Sequence, residues 1–270
     1  MKRFFLSVLV LTLAFLVSGC KKKEVPMTGG FRLLFFPRTC EEIMAGSSKI
    51  ATVTEKSGDH SHTYKSVVVA GDDPVESEDY ILWVVTGPDN LRTIRQEHPN
   101  LEGKVYHRAY HQMPYNKRVE SLPRLEMQLD NDYRGSLESL RGDQMEELVM
   151  FNLTPWEYRV TGVKDFKIVA LSTLFGQPKE TSLNRFFSIY QFEPQQVISY
   201  QTKELIWGYA SESKLESIDQ WLSLKPMAPP LIRFRLNSKP QEIPEKVSFV
   251  TILETTDGKI LKDTTQVSLK

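Results

Sequence analysis

Sulfur is scarce in this chain of 270 residues, whose two cysteines are Cys20 and Cys40, and neither sign of charge is in surplus, with 34 basic and 34 acidic side chains. So few thiols exclude a disulfide framework, and stability has to come from apolar burial. The charge balance excludes the clustered basic excess that a nucleic-acid partner requires. Long apolar runs are missing too. The longest, Phe4 to Val17, is broken only by Ser7 and Thr12; as a helix it would reach roughly 21 Å, short of the roughly 30 Å a permanent membrane span must cross. There is no Gly-x-Ser-x-Gly elbow, no His-Glu-x-x-His helix and no glycine-rich phosphate loop. No internal repeat or low-complexity tract supports a solenoid, and no cofactor is expected.

What is present begins at the amino terminus. Lys2 and Arg3 precede the apolar run, which is the shape of a signal peptide spanning 1–19. The run ends on Val17-Ser18-Gly19-Cys20, an aliphatic residue, two small ones and a thiol, and this junction resembles the lipobox of bacterial lipoproteins. The resemblance implies cleavage before Cys20, a diacylglycerol thioether on its sulfur and a further fatty chain on its new amino group, so that the membrane is the first partner. Two or more chains hold firmly where one is marginal. Residues 20–30 then form a tether, with Pro26, Gly29 and Gly30 opposing a packed element, and Lys21, Lys22 and Lys23 gaining modest attraction to lipid phosphates. Surface-exposed lipoproteins of the Bacteroidota tend to carry acidic residues directly after the cysteine. Here the single Glu24 follows three lysines, which points to an outer-membrane anchor facing the periplasm, with surface exposure left open.

Removing residues 1–19 leaves 251 residues, enough for one large or two ordinary domains. Their pattern predicts a mainly β fold of sandwich-like antiparallel sheets, in two lobes covering 31–155 and 156–270, with one or two short helices. Phe31 to Phe36 is a short apolar run stopped by Pro37, and Lys65 to Ala70 is another. Tyr80 to Val85 (YILWVV) is apolar on both faces, as a central buried strand would be. Leu137, Leu140, Met145 and Leu148 predict a helix over Ser136 to Met150. Glu157 to Val163 and Phe166 to Leu171 read as strands around Lys164-Asp165. Ser213-Lys214-Leu215-Glu216 has the spacing of a capping box. Ile232, Phe234 and Leu236 alternate with arginines, the period of a strand with one wet face. The chain closes in a hairpin turning at Asp257-Gly258, a pair suited to a type I′ turn. Ser182 to Ile189 (SLNRFFSI) together with this hairpin resembles the ending of Bacteroidota lipoproteins that carry a domain of unknown function. The resemblance covers about the last 110 residues and transfers no catalytic residue.

All five histidines lie between positions 60 and 111. His60 and His62 would share a face on a strand, and His107 and His111 would share one on a helix, so either pair could supply two nitrogen ligands to a metal. Against a metal site, the Gly58 to His62 stretch reads as a loop and no carboxylate completes a recognised signature. Tyr106, Arg108, Tyr110 and Tyr115 have the amphipathic composition of a glycan- or protein-binding loop; the same tyrosines could instead pack back on the sheet. Cys40 is open to three readings: a buried small hydrophobe, an intermolecular bridge or a nucleophile, with Glu41 and Glu42 raising its pKa. The function expected is a non-catalytic binding or structural module of the cell envelope. The alternatives are a periplasmic enzyme or metal-binding protein using the histidine-rich segment, and an anchor for a surface polymer such as fimbriae. That last plan has only a loose likeness to fimbrial anchor lipoproteins in its lipobox, tether and strand-rich domains; it predicts an open strand edge.

Overall fold

The structure is a computed structural model that describes residues 32–89, 91–93, 119–141 and 153–270. It is built mostly of strands. Two antiparallel sheets face one another. The first has the order β3-β2-β4-β10-β7 and the second β12-β11-β6, where β2 is Glu42–Ser57, β3 His60–Val69, β4 Tyr80–Gly87, β6 Val163–Ala170, β7 Phe187–Glu193, β10 Leu231–Leu236, β11 Glu245–Thr255 and β12 Ile260–Leu269. Side chains from the two inner faces interdigitate: Tyr80 stacks on Phe249 at 5.6 Å, Phe166 on Phe234 at 5.1 Å, and Phe187 meets Phe249 edge-on. This is the packing of a sandwich. The expected central strand is β4, buried along its whole length between β2 and β10. Its Trp83 lies flat over Gly46 across the ladder, where an added Cβ would come within 2.0 Å of the indole.

A smaller core lies beside the sandwich. Strand β1 (Arg32–Arg38) pairs with β5 (Leu153–Arg159) in parallel, and helix α1 (Pro123–Arg141) lays Leu125 and Leu129 against Trp156, Tyr158 and Ile198. The short ladder β8 (Val197–Ile198) with β9 (Leu205–Trp207) borders it. This pair is parallel, beside the antiparallel sheets of the sandwich. Pro37 sits inside β1 instead of stopping it: among the described residues β1 pairs with β5 alone, and a strand in that position can spare an N–H.

The boundary expected at Pro155 falls inside β5, and strand pairing crosses it. The five-stranded sheet takes β2, β3 and β4 from one side and β7 and β10 from the other, and both cores draw on residues from each side. Other expectations shift locally. The helix begins at Pro123, a residue pre-set for a first helical turn, and shares only 136–141 with the expected span; residues 142–152 lie outside those described. The capping box is four residues later than expected. Ser217 accepts from the Gln220 N–H and Gln220 answers it, starting α2 (Ile218–Ser223), because this frame buries Ile218 and Trp221. The break between β5 and β6 falls at 160–162, so Lys164 and Asp165 are strand residues. At the terminal hairpin only Gly258 has positive φ, 86°. A type I′ turn needs two such residues; the loop closes instead through Gly258 N–H to Thr255 O at 3.0 Å and Thr255 N–H to Lys259 O at 2.9 Å. Among the described residues no helix is long and apolar enough to cross a membrane.

Candidate functional site

Cys40 is sealed in the sandwich core at 1 % exposure. Its N–H donates to Thr161 Oγ1 at 2.9 Å, and its sulfur lies 3.9 Å from Glu42 O. Burial, with a smaller contribution from Glu41 and against the pull of the Arg159 guanidinium, pushes the thiol up to about 12. A thiol in that state has almost no thiolate at neutral pH and is a poor nucleophile; the small-hydrophobe reading accounts for it.

Beside it lies a buried ionic network that ties β1, β4 and β5 together. Glu157 accepts from Arg38 Nε at 2.6 Å and from Arg159 Nη1 at 3.1 Å. Arg159 also donates to Thr86 through Nε at 3.1 Å and through Nη2, to the carbonyl, at 2.6 Å. Thr86 in turn donates to Pro229 O at 2.8 Å. Burial raises the Glu157 carboxyl above its ordinary value, and the Arg159 and Arg38 charges oppose that push. A void of about 20 Å³ lies alongside, lined by Trp156, Glu157, Arg159 and Gln196 among others, which is the size of one water and too small for a ligand. Saturated in this way, the network is a structural brace.

The larger cleft, about 510 Å³, opens between the 3₁₀ turn Asn184–Phe186 and the start of α2. Its floor is Phe187, Ile189 and Ile218, and its rim carries Arg185, Ser188, Glu216, Asp219 and Asn237. Local order in the rim has identifiable causes. Asn184 accepts from Ile168 N–H at 3.0 Å and donates to Phe166 O at 2.7 Å, pinning the turn to the edge of β6. The Arg185 guanidinium lies 4.6 Å from the centre of the Phe186 ring, which stacks on Phe175 at 4.1 Å with planes 5° apart. Phe175 and Gly176 form a tight turn with φ of 55° and 66°, a conformation a bulky side chain rarely adopts. Glu242 holds it by accepting from both N–H groups, at 3.0 and 2.7 Å. The rim thus offers a guanidinium, two carboxylates, an amide and a hydroxyl, a set that hydrogen-bonds a polar ligand; the lining contains no cysteine, histidine or lysine. Five of the lining residues come from the SLNRFFSI stretch, but partners such as Asp219 and Asn237 are brought in from afar and carry no local signal.

His60 and His62 are exposed strand residues, on the same face as Tyr64 and opposite Ser57 and Glu55 of β2. Only Gly58 and Asp59 form the turn there, so the loop expected through His62 is two residues long. No group of three or more histidine, cysteine or acidic residues suited to a metal occurs among the described residues. Cys20, Tyr106, His107, Arg108, Tyr110, His111 and Tyr115 lie outside the described residues.

No protein-family model matches the chain, and no curated protein or solved structure matches it either.

Proposed function

We propose that this chain is a lipid-anchored protein of the bacterial cell envelope, held through Cys20 on the periplasmic side of the outer membrane, whose body is a non-catalytic binding or structural module. The observation that carries the reading is the Val17-Ser18-Gly19-Cys20 junction behind a fourteen-residue apolar run and two cationic residues. The run is too short to span the bilayer and long enough for a signal peptide. Each buried methylene of an attached chain contributes about 0.8 kcal/mol, so two or three chains make the attachment durable. Beyond the tether, the polar cleft beside Arg185 and Asp219 is where a ligand rich in hydroxyl or amide groups, such as an envelope glycan or an extended peptide, would be met.

Intact-mass measurement of membrane-extracted protein tests the anchor. The expected mass is that of residues 20–270 plus diacylglycerol and acyl groups, with Cys20→Ser unprocessed. Unmodified wild-type protein, or a Cys20→Ser form still processed and pelleting with membranes, overturns the proposal.

A further inference from the structure

We infer that the outer edge of β3 pairs with the same edge of a second copy of this chain, making one continuous sheet across a two-fold axis. The other outer strands of the two sheets have chain laid against them. At β7, Ile189 N–H donates to Glu216 O at 2.6 Å; at β6, Leu183 N–H donates to Ile168 O at 2.7 Å; at β12, Val75 N–H donates to Ser268 O at 2.8 Å. Among the described residues nothing is laid against β3 in this way. It pairs with β2 alone, in a ladder without a register shift from Ser48↔Val69 to Ser57↔His60. Beyond Lys49, β2 no longer pairs with β4, so the ribbon projects from the body with residues 54–56 and 60–65 exposed. Strand edges are ordinarily guarded by proline, a bulge, a short length or charged side chains, lysine above all. Of these guards the β3 edge carries a single one, Lys65, which the register of the pairing has to accommodate.

The ladder also dictates which groups are open. Ala70 N–H donates to Ser47 O at 3.2 Å, which makes that pair a hydrogen-bonded one. Alternation along an antiparallel ladder then points the backbone groups of Ser61, Thr63, Lys65, Val67 and Val69 outwards. Two copies meeting antiparallel must match outward residue to outward residue, which restricts the register. Centring on Lys65 sets lysine against lysine and is disfavoured. Centring on Tyr64 gives the longest overlap free of that clash, His60 to Val68. It sets Thr63 against Lys65, Ser61 against Val67 and Tyr64 against itself, a close non-hydrogen-bonded pair of aromatics. Tyr64 is 42 % exposed and its hydroxyl donates to Glu55, so its ring is held on the ribbon face. The arrangement is isologous and closed, so it stops at the dimer.

The test uses the full-length, detergent-extracted protein in analytical ultracentrifugation, with single-cysteine cross-linking in membranes. The wild type is expected to form a concentration-dependent dimer. Thr63→Pro, at an N–H that β2 does not use, abolishes it without loss of near-UV circular dichroism. Thr63→Glu, facing Lys65 of the other copy twice, tightens the dimer roughly fivefold, and Thr63→Lys loosens it by a similar factor. Tyr64→Cys oxidised with copper phenanthroline cross-links, since opposed Cα atoms about 4.5 Å apart fit a disulfide, whereas Thr54→Cys does not. A monomer at every concentration, a dimer indifferent to Thr63→Pro, equal effects of Thr63→Glu and Thr63→Lys, or binding only of a foreign strand overturns the inference.

Discussion

Replacing Glu157 with glutamine is expected to be among the most damaging near-isosteric changes in the protein. The carboxylate is fully buried and accepts from two guanidiniums, those of Arg38 and Arg159, whose side chains are 5 % and 0 % exposed. Glutamine keeps the volume, removes the negative charge and turns an NH₂ towards one of the two donors. Breaking a buried ion pair by removing one partner costs roughly 3–5 kcal/mol, because positive charge is left in a medium of low polarity. With a urea m-value of about 2–3 kcal/mol per molar, the unfolding midpoint should fall by roughly 1–2.5 M. Trp156, adjacent in sequence and 7 % exposed, reports the transition by fluorescence. The surface pair Lys164 with Glu254, at 2.5 Å, is the internal comparison: Glu254→Gln should move the midpoint far less than Glu157→Gln does. Equal midpoints for the two variants would refute the argument that this network braces β1, β4 and β5.

Two further outcomes follow from the same structure. The amide groups of Gly176 and Phe175 hold the Glu242 carboxyl below its ordinary value. Its stabilisation is therefore present above the unfolded glutamate value and is lost as pH falls through the depressed folded one. Glu242→Gln should lower the thermal midpoint at neutral pH, and the wild-type and variant curves should converge in acid; parallel curves would refute the clamp. Cys40, with its thiol near 12, should resist iodoacetamide at pH 8 in native protein and react once urea unfolds it. Labelling at the rate of a free thiol in the native state would contradict the burial.

Much of the sandwich was legible because its signals are local. YILWVV, rich in β-branched and aromatic residues and closed by Thr86-Gly87-Pro88, reads as a strand covered on both faces, and the Ile232, Phe234, Leu236 alternation marks the inward and outward sides of β10. Choices between equivalent local motifs were not legible. Ser213 and Ser217 both begin a capping-box spacing, and what selects the second is a distant contact, Trp221 meeting Phe166 at 5.9 Å. The start of α1 was missed because Leu125 and Leu129 form a narrow stripe in an otherwise polar run, whose covering surface, Trp156 and Tyr158, comes from β5. The parallel β1–β5 pair, the Arg38–Glu157–Arg159 network and the cleft rim join segments far apart in sequence, and no periodicity within either partner announces them.

The place of β4 in the chain has a bearing on how the protein is delivered. Its neighbour β2 precedes it closely, but β10 begins only at Leu231 and the facing strands β11 and β12 later still. A polypeptide emerging amino-terminus first therefore displays this uninterrupted apolar segment long before half of the cover for it exists. Residues 80–85 lack half of their cover until the last forty residues have arrived, and a product cut short before Leu231 leaves β4 without its β10 neighbour.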